Sequence, residues 1–504
     1  MPTNSYDLIV IGDDLAGLAC AALCARRGLR TLVVTRDDPG GRYALGPFKL
    51  PVEPGVLPGR VGGGSGAARV IRELGLDHAL KRRVREVRTA AQLVGPDVRL
   101  DLSADAAACA RELERELPAA AAAALTAWED AAAAAQAADP LLDGADPFPG
   151  VGFFERRDAA RQAARAAEVA AAWWATVEAA PAPVAALTRA PAAIGGRAGE
   201  PAPVAIARAL GHWRAGAPAL RGDGTGLREL LLERVTAANG ELRTGTVEEL
   251  VTGWSKIGAV RLASGEELGA GQVVAALPLS ALVPTLGKKP PRRLVELEQA
   301  QRRLGWRYTL NLVIDAAAVP EGMAPTVLVL PDDALRHGHA VFVGEPDDQG
   351  RVVVTLGAIL PATEDEAAGG EPEAAALAAR AAALRARLLT ALDDVMPYVM
   401  DHLVVAHSPH EATAPVASGR GTYEAGRGLP VAMSSVWRGT LDGAAGLAAA
   451  PHVTGVKNLT LASSQVLTGL GLEGDLVCGW NAARLACAIA GKKRDYLRDE
   501  VVSA

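Results

Sequence analysis

Near the start of the chain, Gly12, Asp14 and Gly17 occupy the three positions of the spacing G-x-G-x-x-G. That spacing turns a strand into a helix around a dinucleotide pyrophosphate. The three positions carry different chemistry. Gly12 permits the sharp turn and Gly17 lets the helix lie close on the strand, so both serve the fold as well as any ligand. The middle position serves the ligand alone, because a glycine there lets phosphate reach the unpaired N–H groups and positive dipole of the helix N-terminus. Asp14 fills that space with a carboxylate. Its repulsion is about 3 kcal/mol per phosphate charge at about 5 Å and an effective dielectric near 20. The acid that binds ribose hydroxyls is expected about 20 residues further on, at the end of the second strand. Thr35 stands there, able to form a hydrogen bond but not a charge-assisted one, a loss of about 1 to 2 kcal/mol.

The elements that position these residues read as strand, helix, strand. Leu8 to Ile11 is an apolar strand, an alanine- and leucine-rich helix runs to Gly28, and Thr31 to Val34 is a second strand. The loop Asp37 to Arg42 follows, where Gly40 and Gly41 allow close backbone approach and Arg42 either meets a phosphate or is solvated on a surface turn. Pro51, Pro54, Pro58 and Gly62 to Gly66 mark irregular backbone before a short helix from Ala67 to Leu74.

Ser103 to Ala138 is helical in composition, with Ser103 in N-cap position and Pro118 dividing two helices. A second helical block, Arg157 to Ala179, carries Trp173 and Trp174. Adjacent helical residues point about 100° apart, so at most one of the two faces any ligand, and core packing is the favoured role over an apolar channel or membrane contact. Between Arg221 and Pro278 lie a glycine turn, a helix from Leu227 to Ala237 and strands at Thr246 to Val251, Ala259 to Ala263 and Val273 to Leu277. Strands at Tyr308 to Ile314, Thr326 to Leu330, Ala340 to Val343 and Val352 to Leu356 then precede a helix from Glu373 to Met396. Leu377, Leu384, Leu388, Leu392 and Val395 share one face of that helix, which implies an antiparallel sheet carrying helices. His402 and His407 flank a short strand and fall on opposite faces, and with His410 they make a weak case for a metal site; none is assigned. Finally, a strand from Leu459 to Ala462 leads through Gly469, Gly471 and Gly474 into a helix from Asp475 to Ala490, a second place where a ligand can meet a helix N-terminus.

The 504 residues suffice for two or more domains. Lys+Arg 52 against Asp+Glu 58 leaves a net charge of −6, which gives no general attraction for nucleic acid or acidic membranes. The 50% hydrophobic content is swollen by alanine, since aromatics are only 4%. No apolar run reaches the roughly 18 residues of a spanning helix. The start MPTNSYD has no signal-peptide pattern, so a cytoplasmic protein is expected. Cys20, Cys24, Cys109, Cys478 and Cys487 show no metal or redox spacing.

Together, Tyr6 to Arg42, Gly222 to Pro278 and Asn458 to Ala490 resemble, in order and spacing, the flavoprotein superfamily of phytoene desaturases, amine oxidases and protoporphyrinogen oxidases. The resemblance implies an α/β fold: a discontinuous Rossmann-like FAD/NAD(P)-binding domain (1–100, 217–290 and 452–495), a helical cap (101–216) and an antiparallel-sheet substrate domain (291–451). It also implies FAD as cofactor. Gly12, Gly17, Gly40, Gly41 and Arg42 match the pyrophosphate loop, with Leu15 a further cofactor-binding position, Val247 matches the residue beside adenine, and Gly471, Leu472, Glu473 and Gly474 the turn beneath the flavin ring. Three departures stand out: Asp14 for glycine, Thr35 for the ribose acid, and Ser464 where the superfamily carries aspartate.

Positions that pack are thus retained while those that grip the nucleotide are changed. Three readings follow. The first is an FAD-dependent oxidoreductase acting on a hydrophobic small molecule, with weakened or lost flavin and no side chain assigned to catalysis. The second is a non-catalytic descendant that binds a protein partner. The third is an NADP-binding protein in which Thr35 and Arg36 receive the 2′-phosphate.

Overall fold

The structure is a computed structural model and describes residues 4–36, 40–55, 57, 66–195, 200–221, 226–253, 256–333, 335–412, 415–417, 423–426 and 429–491. Three distant stretches of chain form one seven-stranded sheet. Its central strand, Asn4–Ile11, is buried along its second half, and runs parallel to Thr31–Thr35 on one side and Glu267–Ala275 on the other. Glu241–Thr244 extends the sheet beyond Thr31–Thr35, and Leu459–Leu461 pairs in parallel with the end of Glu267–Ala275. Val247–Gly253 and Lys256–Leu262 form an antiparallel extension from the start of that same strand. This is the discontinuous Rossmann-like arrangement expected.

The first helix, Leu15–Arg26, is buried from Leu15 to Ala25 because helices cover it as well as the sheet. The final helix, Gly471–Ile489, crosses it closely: a Cβ on Gly479 would lie 2.5 Å from the Ala16 carbonyl oxygen and 2.7 Å from the Ala19 Cβ. Small residues at the crossing bring the two backbones together, which increases dispersion contact over the whole interface.

A nine-stranded sheet forms the second layer. Arg303–Asp315 lies near its middle, pairing antiparallel with Arg351–Pro361, Leu403–His407 and Ser435–Trp437. The hairpin Thr89–Gly95 and Val98–Ser103, which straddles the domain boundary expected at residue 100, joins the other edge through a parallel pairing with Thr326–Val329. The helix Ala374–Val395 covers one face through Leu384, Leu388 and Leu392, with Leu377 and Val395 partly buried against the same cluster.

Helices Ala106–Glu116, Ala121–Gln136, Phe153–Ala179, Val184–Ala193 and Pro203–Arg214 occupy the stretch expected to form the cap, and are called the cap helices below. The N-cap of the first is Asp105, not Ser103: Asp105 Oδ1 accepts from the Ala107 and Ala108 amides, while Ser103 ends the preceding strand. Trp173 and Trp174 are both buried, and Trp173 Nε1 donates to the Ala127 carbonyl, so the pair packs the cap. Among the described residues no helix is long and apolar enough to cross a membrane.

Candidate functional site

A cavity of about 780 Å³ follows the carboxyl ends of the parallel strands, where ligands bind in sheets of this kind. Its shape begins with two glycines. Gly12 has φ +98°, and a Cβ there would meet the Ala276 carbonyl oxygen at 2.2 Å. A Cβ on Gly17 would meet the Ala276 Cβ at 2.1 Å. Both glycines are therefore required by the packing of the first turn against the end of the neighbouring strand.

Asp14 is the N-cap residue of the first helix, yet its side chain makes no cap hydrogen bond to that helix. Its Oδ2 instead accepts from the Ser464 amide at 2.9 Å. Asp14 and Ser464 both line the cavity. The carboxylate at the middle position of the glycine spacing thus holds a backbone donor of the loop after the strand Leu459–Leu461. Two arginines border the same stretch. Arg228 Nη1 donates to the Asp13 carbonyl at 2.6 Å and lies 3.2 Å from Asp13 Oδ2, and Arg42 Nη2 is 3.0 Å from Glu229 Oε1. Gly41, with φ +72°, makes room for Arg228, whose Cδ would be 2.9 Å from a Cβ at that position. Burial lowers the Arg42 pKa from its ordinary value, against the charge of Glu229.

Among the positions expected at the site, Gly12, Asp14, Leu15, Gly41, Arg42, Val247, Ser464, Gly471, Leu472 and Glu473 line the cavity. Gly17 acts from behind, through packing. Thr35 is buried within its strand, where its carbonyl accepts from the Gly245 amide at 2.7 Å, and it is not among the lining residues. The exposed neighbour Arg36 lines the cavity in its place.

Glu473 stands in a setting that its position in the turn did not suggest. Its carboxylate receives Arg208 through Nη2 at 2.5 Å and Nε at 2.9 Å, and His212 Nε2 lies 3.1 Å away. Arg208 also reaches Asp139 Oδ1 and the Ala135 carbonyl, both at 2.7 Å. Burial alone would raise the Glu473 pKa, but the Arg208 charge and hydrogen bonds, with His212, hold it far below the usual carboxylate range. Arg208 and His212 line the cavity and were missed in the sequence. Their spacing of i, i+4 in the otherwise apolar run PVAIARALGHW puts both on one helical face, a signal that was there to be read.

The three clustered histidines point to different partners. His407 Nδ1 is 3.2 Å from Tyr43 Oη, His410 Nδ1 is 2.9 Å from the Val431 carbonyl, and His402 Nδ1 is 3.8 Å from Asp315 Oδ2. Among the described residues no group of three or more histidine, cysteine, aspartate or glutamate residues is placed to hold a metal ion.

No family profile and no curated protein sequence matches this chain. Solved structures do. Putrescine oxidase bound to putrescine is similar at a TM-score of 0.57 and 17% identity, over 97% of this chain and 100% of that one. An oxidoreductase from Methanosarcina mazei gives 0.57 and 13%, over 94% and 98%. Cyclohexylamine oxidase from Brevibacterium oxydans IH-35A gives 0.53 and 16%, over 97% and 100%. The chain shares the fold of these oxidases over nearly its whole length.

Proposed function

We propose that this protein is an oxidoreductase of the flavoprotein type that takes a hydrophobic small molecule and holds FAD weakly. Residues that the resemblance assigns to such a cofactor line the cavity, Val247 for the adenine, Arg42 for the pyrophosphate and Gly471 for the flavin ring, which supports the reading. The centre fits poorly. The observation that carries the proposal is the bond from the Ser464 amide to Asp14 Oδ2, by which a carboxylate of the protein takes up a donor in the region that phosphate would enter.

Seating one phosphate charge there costs the lost charge-assisted bond and the repulsion of two anions, about 4 kcal/mol together. That is close to a thousandfold in affinity, against which a long apolar contact surface works. FAD, when bound, supplies the two-electron acceptor. The chain itself supplies orientation and exclusion of water. The cap contributes Pro191 and Trp213, and the wall beside the nine-stranded sheet contributes Leu429, Met433 and Trp437, all apolar and suited to a hydrophobic substrate.

The visible spectrum of the purified protein tests the proposal. Flavin well below one equivalent is expected, with Asp14→Gly raising FAD affinity at least about tenfold by fluorescence quenching. A yellow wild type with one tightly held equivalent, unaltered in Asp14→Gly, overturns it. If neither protein takes up flavin, the non-catalytic reading replaces it. Arg36 on the cavity wall favours NADP as a second reading, which requires NADPH binding that Arg36→Ala abolishes.

A further inference from the structure

Outside the cavity, the helix Phe153–Ala179 presents an unusual start. Phe153 and Phe154, two of the five phenylalanines in the chain, are 67% and 80% exposed, with their rings edge to face at 5.5 Å. Exposed apolar residues scattered singly need no explanation, but adjacent aromatic rings standing free at a helix end do. The helix is already anchored on its other side. Ala163, Ala166, Ala170, Trp173, Trp174 and Val177 are buried against the cap. At 100° per residue, Phe154, Arg157, Arg161 and Arg165 fall on the opposite face. All four are exposed, as is Arg156 beside them.

The acids of this segment do not cancel the arginines. Between Phe153 and Arg165 there are four arginines and two acids. Glu155 is turned back onto the Val151 and Gly152 amides, and Asp158 is held by Arg161 and Gln162. The stretch therefore carries a local positive excess on a protein whose net charge is −6. An aromatic pair continuous with a row of arginines matches the two layers of a lipid surface. The rings enter the acyl boundary, and the guanidinium groups remain among anionic headgroups. A protein partner would be expected to cover the rings with a groove; the row of arginines favours a surface of many phosphates.

We infer that the Phe153–Arg165 face docks this protein on an anionic lipid membrane. The inference is independent of flavin occupancy. Flotation with vesicles tests it, using the full chain and phosphatidylcholine with or without phosphatidylserine. The wild type is expected to float with phosphatidylserine vesicles, less so at high salt, and to stay behind with phosphatidylcholine alone. Phe153→Ser with Phe154→Ser should weaken vesicle binding about tenfold or more while leaving the melting temperature unchanged, because both rings are exposed. Arg157→Glu with Arg161→Glu and Arg165→Glu should abolish the preference for phosphatidylserine. Absence of wild-type flotation overturns the inference, as does undiminished flotation of the double-serine variant. So does a wild-type dimer that this variant turns into a monomer in sedimentation velocity, since the face would then be an interface between copies.

Discussion

A Cβ on Gly17 would sit 2.1 Å from the Ala276 Cβ, so this glycine is needed whether or not a nucleotide is present. Gly17→Ala should therefore destabilise the flavin-free protein by about 2 kcal/mol in urea unfolding. Adding Ala276→Gly removes the opposing methyl and should restore part of the loss, a coupling that a cofactor role for Gly17 would not produce. At Gly12 the obstruction is the Ala276 carbonyl, which no side-chain change removes. The packing roles of both glycines were legible from spacing alone. The partner of Asp14 was not, because Ser464 lies 450 residues away in the chain. Thr35 misled for another reason: counting residues to a strand end does not say which of two neighbours faces the cavity, and here it is Arg36.

Among the elements, the cap helix Pro203–Arg214 and the final helix Gly471–Ile489 are joined by the buried ion pair of Arg208 with Glu473, with His212 beside it. Glu473→Gln keeps an acceptor for Arg208 but removes the buried charge opposite it, leaving the half-exposed Asp139 as the remaining carboxylate partner among the described residues, and a loss of about 3 kcal/mol is expected. The pH sign follows from the depressed folded-state pKa of Glu473. Its stabilisation is complete above the unfolded carboxylate value of about 4.3 and is lost as pH falls below that toward the lower folded value. Acid titration of the denaturation midpoint should thus fall less steeply in Glu473→Gln than in the wild type. Long periodic elements were legible in sequence because their apolar residues repeat at helix or strand period. Glu241–Thr244 was missed: ELRT has no apolar alternation, and as an edge strand it buries none of its residues fully.

For the whole molecule, stability at mildly acid pH is governed in part by histidines sealed within it. His339 is 1% exposed, neither ring nitrogen has a hydrogen-bond partner among the described residues, and burial lowers its pKa to about 4. Burial lowers the fully enclosed His452 to about 4 as well. The unfolded chain takes up these protons near pH 6.5 and the folded one does not, so stability falls as pH drops from about 6.5 to about 4. His339→Leu removes one such group without stranding a partner. It should be near neutral in stability at pH 7.5 and more stable than the wild type at pH 5, by about 2 kcal/mol in urea titrations at the two values. This was not legible in the sequence, where HAV reads as ordinary strand and nothing tells a sealed histidine from a solvated one.

The close crossing of first and last helices bears on how the protein is made. Cys24 and Ala483, which touch across that crossing, are 459 residues apart. At a ribosome's pace of about 5 to 20 residues per second, the apolar first helix waits on the order of half a minute to a minute and a half for the segment that covers it. For that interval the alanine-rich surface of the first helix stays without the partner that packs closest against it.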